Sequence, residues 1–171
     1  MATPAHTFIP VELYLHSSYE PDAEYVDGKI EERPPAELDH SAWQAAILYC
    51  FAQHAHEWNI RELPSLRVQV APTRYRVPDV TVLDRDRPIE QIITQPPIAV
   101  FEVLSPEDTM TRMMRKLNDY SAMGIPQIWV IDPKGPRSWR FENGQLNPSS
   151  TFGAPGERIH FSISEIERLL D

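Results

Sequence analysis

The chain has one cysteine among its 171 residues, so no disulfide can form within it and its stability must come from a buried core. That residue, Cys50, lies in an apolar helical stretch and reads as a buried filler in a reducing compartment. No apolar run approaches the roughly 20 residues that span a bilayer. No charged-then-apolar leader opens the sequence either, so the expectation is a cytoplasmic protein without a membrane partner. Repeats, low-complexity tracts and a dividing linker are also missing, and residues 1–171 are expected to form a single domain. The 17 prolines are scattered, so they punctuate loops and mark no disordered tract.

Basic charge is scarce as well: 16 Lys and Arg stand against 25 Asp and Glu, a net charge of −9. Taken whole, that balance argues against a nucleic-acid partner. The way the charge is distributed weakens that argument. Residues 1–40 hold nine acids against only Lys29 and Arg33, which makes residues 1–37 an acidic segment expected to pack on the domain. Between residues 61 and 87, six arginines face four acids. The body is therefore near neutral with an arginine-richer middle, and net charge leaves the partner open.

Periodicity gives the order of elements. A short helix is expected over residues 10–17, with Pro10 in the first turn where its missing N–H costs nothing. Residues 24–31 read as a hairpin, because Asp27-Gly28 suits the positive φ of a two-residue turn. Residues 39–58 are predicted helical, with an apolar face of Trp43, Ile47, Phe51 and positions 48, 52 and 55, capped by Asp39 or Ser41. Strands are predicted over 66–70, 77–83, 98–104 and 127–131, and a helix over 105–123 that Gly124 ends. A hairpin tipped by Asn143-Gly144 and a helix over 164–170 complete an α/β (α+β mixed) pattern, a central mixed β-sheet with flanking helices.

Two carboxylates break this hydrophobic logic. Glu102 interrupts residues 98–104, the most apolar strand, where a lone ionised carboxylate is costly unless paired or bound to a metal. Asp79 follows Pro78 at a strand entrance or kink. Two carboxylates suffice to hold a hard cation such as Mg²⁺ when water and phosphate oxygens complete its shell. Either residue also has an ordinary explanation, a buried ion pair for Glu102 and a turn for Asp79. Lys116 shares a helix face with Met113, Leu117 and Tyr120, which leans it inward over the Glu102 strand. A lysine there can orient an attacking water and stabilise a phosphorane, or simply cover core with its stem.

The ordered set Pro78-Asp79, Glu102-Val103-Leu104-Ser105-Pro106, Lys116-Leu117-x-x-Tyr120, Gly124-x-Pro126 and Trp129-x-x-Asp132-Pro133 resembles the Uma2 family of endonucleases. The resemblance runs from Tyr25 to Asp132, and the terminal residues 159–170 fit it too. It implies a PD-(D/E)XK restriction-endonuclease-like core. It also implies a Mg²⁺ ion (or Mn²⁺ in its place) held by Asp79, Glu102 and the carbonyl of Val103, with DNA as substrate. The lysine expected two residues after Glu102 is replaced by Leu104, and Lys116 occupies the position to which the family's lysine has migrated. His40 matches a histidine near the start of the family's long helix and is expected to meet substrate or to cap that helix. Arg112 stands where relatives often carry an acid, which questions how Lys116 is paired; Glu31 reads as solvated or, alternatively, as a further acidic contributor to the site.

Three readings follow. The first is a Mg²⁺-dependent endonuclease, for which a homodimer would suit two-strand cleavage. The second is a nuclease fold that binds or regulates without turnover, suggested by Arg112 and the acidic N-terminal segment. The third is an acid-coated protein-interaction domain.

Overall fold

The structure, a computed structural model, describes residues 7–135 and 137–170; the ends of the expected 1–171 domain lie outside the described residues. Helix α1 (Val11–Leu15) leads into the hairpin β1 (Ala23–Val26) and β2 (Lys29–Glu32). Asp27 and Gly28 both take positive φ, 49° and 88°, as a tight hairpin turn demands. A Cβ on Gly28 would meet the ring of Phe8, which would have to move, and the positive φ by itself strains any side chain there.

Helix α2 (Leu38–Gln53) follows Pro34-Pro35. Glu37 rather than Asp39 or Ser41 precedes its first turn, and no side chain caps it. Asp39 lies inside the first turn, where its charge faces the positive helix end. The helix stops short of residue 58, because the chain turns through Asn59 at φ 53° into an additional strand, β3 (Ile60–Pro64). β3 is an edge strand with mostly exposed side chains, so no apolar alternation announces it.

Strands β4 (Val68–Ala71) and β5 (Arg74–Arg76) form the next hairpin, followed by β6 (Val80–Asp84) and β7 (Ala99–Val103). The expected strand over 77–83 thus begins at Val80. Pro78 has no N–H for a ladder, and between β5 and β6 the chain changes sheets. Helix α3 (Met110–Met123) starts five residues later than expected, since Ser105–Asp108 closes on itself. Asp108 Oδ2 accepts the Ser105 N–H at 2.7 Å, and Thr109 then caps the helix through the Arg112 N–H. Gly124, at φ 92°, ends it as predicted.

Then come β8 (Gln127–Asp132), the hairpin β9 (Arg137–Glu142) and β10 (Gln145–Pro148), the pair β11 (Thr151–Phe152) and β12 (Phe161–Ser162), and α4 (Ser164–Glu167). α4 is shorter than the helix expected over 164–170. A small sheet has the order β2-β1-β5-β4, and a large mixed sheet the order β10-β9-β8-β7-β6-β3. Only the β7–β8 pairing in the large sheet is parallel.

The two faces of the large sheet carry different cores. Ala99, Phe101 and Val103 of β7, with Trp129 and Ile131 of β8, pack against Trp43, Ile47, Cys50 and Phe51 of α2 and against Phe152 and Phe161. Cys50 is the buried filler expected of it, whereas Ala52 of the predicted helix face is exposed. The alternate residues Val100, Ile128 and Val130 meet Met113, Leu117 and Tyr120 of α3. By strand alternation Glu102 belongs to this second face, in the place of a further apolar residue.

Candidate active site

β6 and β7 pair antiparallel with Val80 opposite Phe101, so Asp79, one residue before β6, arrives beside Glu102 and Val103. The Val103 N–H donates to Asp79 Oδ2 at 2.7 Å and fixes that approach. Gln44 of α2 donates to the Asp79 carbonyl at 2.8 Å and holds the strand entrance from the other side. From α3, Lys116 Nζ reaches Glu102 Oε1 at 3.0 Å, and the Tyr120 hydroxyl donates to the same oxygen at 2.6 Å. Asp79, Glu102 and Lys116, separated by up to 37 positions in sequence, therefore line one cavity of about 290 Å³. His40 lines it as well. At Val103 it is the N–H, and not the carbonyl named in the sequence reading, that meets Asp79.

Three further residues carry no signal of their own in the sequence. Glu24 of β1 is fully buried and meets Lys116 Nζ at 2.9 Å, so the lysine is shared between two carboxylates. Glu24 also accepts the Val77 N–H at 2.9 Å and pairs with Arg76 at 3.1 Å. Arg33, on the connection between β2 and α2, pairs with Asp79 Oδ1. Arg76 is buried and also binds Asp119 at 2.7 Å and Glu31 at 3.1 Å. Glu31 is thus braced by Arg76 and Arg112 and not solvated as expected. Arg112 takes no part in pairing Lys116; Glu24 supplies that acid from a different element. A charged residue inside a short, half-buried strand (Glu24, Arg76) is the nearest thing to a sequence mark, and only the partner strand gives it meaning.

The electrostatics follow from burial and sharing. Burial raises the Glu102 carboxyl, and Asp79 and Glu24 add to the effect; together they outweigh the shared Lys116 and push it to about 7. Burial also acts on Asp79, but the His40 hydrogen bond and the Arg33 charge hold it below the usual carboxylate range. Glu24 is likewise lowered, the charges of Lys116 and Arg76 prevailing over burial. Lys116 stays protonated: burial works against its charge, and Glu102 and Glu24 more than restore it. His40 Nε2 lies 3.2 Å from Asp79 Oδ2, and that hydrogen bond raises the imidazole above its ordinary value. Its Nδ1 is buried without a partner among the described residues, so Nε2 is the atom through which the ring serves Asp79.

The donor chemistry fits a hard cation. Two carboxylates from neighbouring strands face one cavity, and Glu102 Oε2 takes no hydrogen bond among the described residues. Among those residues, no three His, Cys, Asp or Glu side chains are gathered as a metal cage. A Mg²⁺ ion, which keeps waters and takes phosphate oxygens, does not require one.

No described helix is long and apolar enough to cross a membrane. No curated protein matches the chain. Among solved structures, it is similar to the crystal structure of a "putative nuclease belonging to DUF820" from Anabaena variabilis ATCC 29413, with 23% identity and a TM-score of 0.77 over 95% of this chain and 99% of that one. The likeness shows that the mixed sheet and its flanking helices are a restriction-endonuclease-like core. Residues 11–162 match the Uma2 family, described as "Putative restriction endonuclease", and the chain belongs to that family.

Proposed function

We propose that the chain is a divalent-metal-dependent endonuclease that hydrolyses phosphodiester bonds of DNA. The observation that carries this reading is the convergence of Asp79, Glu102 and Lys116 on one cavity from a strand entrance, a central strand and a helix. Asp79, Glu102 through its open Oε2, and the Val103 carbonyl are the groups that would hold Mg²⁺ or Mn²⁺. When bound, the cation supplies Lewis-acid neutralisation of the charge that builds on a cleaved phosphodiester. Lys116, kept protonated between Glu24 and Glu102, has N–H donors to hold a water or a phosphate oxygen at the cavity. His40 orients Asp79, and Tyr120 orients Glu102.

The test is cleavage of labelled single- and double-stranded DNA with Mg²⁺ or Mn²⁺. Wild type is expected to cut only with the cation, and Asp79→Asn and Glu102→Gln are expected to lose at least roughly a hundredfold in rate. No cleavage by wild type, or equal cleavage by Glu102→Gln, would sink the reading. A second reading, a nuclease fold that binds without turnover, draws on Asp79, both of whose oxygens are already engaged. It is favoured if wild type binds both Mn²⁺ and DNA and yields no products.

A further inference from the structure

The geometry points to Arg33 as the residue that sets the metal affinity of this site, by serving as an internal counter-cation on Asp79 that a divalent ion must displace. The inference rests on the reading of Asp79 and Glu102 as metal ligands.

The two carboxylates are held differently. Glu102 places both of its donors, Tyr120 and Lys116, on Oε1 and leaves Oε2 without a hydrogen bond among the described residues. Asp79 has neither oxygen spare. Its Oδ2 accepts from the Val103 N–H at 2.7 Å and faces His40 Nε2 at 3.2 Å, while its Oδ1 is taken by the Arg33 guanidinium. A cation entering the cavity meets an open oxygen on Glu102 and an occupied one on Asp79. His40 stands on Oδ2, and the Val103 amide on that same oxygen belongs to the sheet and cannot withdraw without disturbing a regular element. Arg33 can. It lies in the connection after β2 and before Pro34-Pro35, outside strand and helix, and its other tie is a long 3.4 Å bond to Ser65 Oγ.

Guanidinium and a divalent ion cannot share Oδ1. At a separation near 4 Å, a single and a double positive charge repel strongly in so shielded a place. Displacement leaves Arg33 in the cavity wall, where its planar fork matches two oxygens of a phosphate. Cation and phosphate then assist one another: the ion frees the guanidinium, and the phosphate gives it a new partner. Arg33 is one of only two Lys or Arg residues among the first 40, so this acidic segment contributes a cation where the site uses one.

The experiment is a calorimetric Mn²⁺ titration of the full chain without nucleic acid, comparing wild type, Arg33→Gln, Arg33→Lys and Asp79→Asn. Arg33→Gln is expected to bind Mn²⁺ about tenfold tighter or more, Arg33→Lys to stay near wild type, and Asp79→Asn to bind more weakly. If wild type binds and Arg33→Gln binds equally or less tightly, the role of Arg33 is overturned and the metal reading stands. If no variant binds Mn²⁺, the metal reading falls and takes the inference with it. Because Arg33→Gln removes a partner from a buried carboxylate, melting is followed in parallel with chelator and with saturating Mn²⁺. A larger Mn²⁺-induced rise in Tm for Arg33→Gln than for wild type supports the inference, and an equal or smaller rise overturns it.

Discussion

On the α2 face of the large sheet, Phe51 sets its ring edge-on against Phe101, Phe152, Phe161 and Trp58, with centroids 5.4–5.9 Å apart. On the α3 face, one residue along the same strand, Glu102 is met by a lysine and a tyrosine. Phe51 and Glu102 are both buried, but Glu102 also faces the cavity. The first is held by many weak contacts that any well-shaped apolar group could partly replace. The second is held by a few charges, each of which becomes a liability if its partner is removed. The proposed site lies on the face whose stability depends on pairing rather than on volume.

The sharpest way to break the contrast is Phe51→Ala, expected to cost ~3–5 kcal/mol through the cavity it leaves, read as a shift in urea midpoint. That loss should hardly change with pH. Lys116→Met, measured with a chelator present, is expected to cost ~2–4 kcal/mol because Glu24 and Glu102 then lose the cation they share, and Glu102 keeps only the neutral Tyr120 hydroxyl. Adding Glu102→Gln should recover a good part of it; a double variant no more stable than Lys116→Met would mean that packing, not charge, rules this face as well. The smallest effect sharpens the point through pH. Glu102 in the folded chain titrates near 7, above the ordinary carboxylate value. Between about pH 4.5 and 7 the folded state therefore holds a proton that the unfolded state has lost, and stability from this group falls as pH rises through that window. Wild type should lose on the order of 1–3 kcal/mol relative to Glu102→Gln between pH 5 and pH 8. Asp79 and Glu24, whose values are lowered, act in the opposite sense and only in acid below the ordinary range. A constant difference across that range would mean that Lys116 fully offsets the burial of Glu102.

Much of the architecture is legible in the sequence because the governing patterns are local. The Asp27-Gly28 and Asn143-Gly144 turns, the Gly124 stop and the apolar run of β7 each carry their cause within a few residues. β3 is not legible, since an edge strand needs no apolar alternation, and the late start of α3 is hidden in the self-closing turn at Ser105–Asp108. In the site, Asp79, Glu102 and Lys116 betray themselves by being charged where periodicity asks for apolar residues. Glu24 and Arg33 do not, because they sit in a segment already crowded with charge. Their importance comes from the small sheet, whose β1–β5 pairing brings the chain's beginning against its middle.

That pairing has a consequence for how the protein fails. All six strands of the large sheet come after residue 59, whereas Glu24 and Arg33 precede residue 38. A protease that nicks the Pro34-Pro35 connection would leave the large sheet's sequence intact and sever the link that delivers the partner of Lys116 and the guard of Asp79. The nicked protein would resemble a two-piece lock, its pieces held by β1 against β5, and it would lose the proposed chemistry whenever the short piece drifted away.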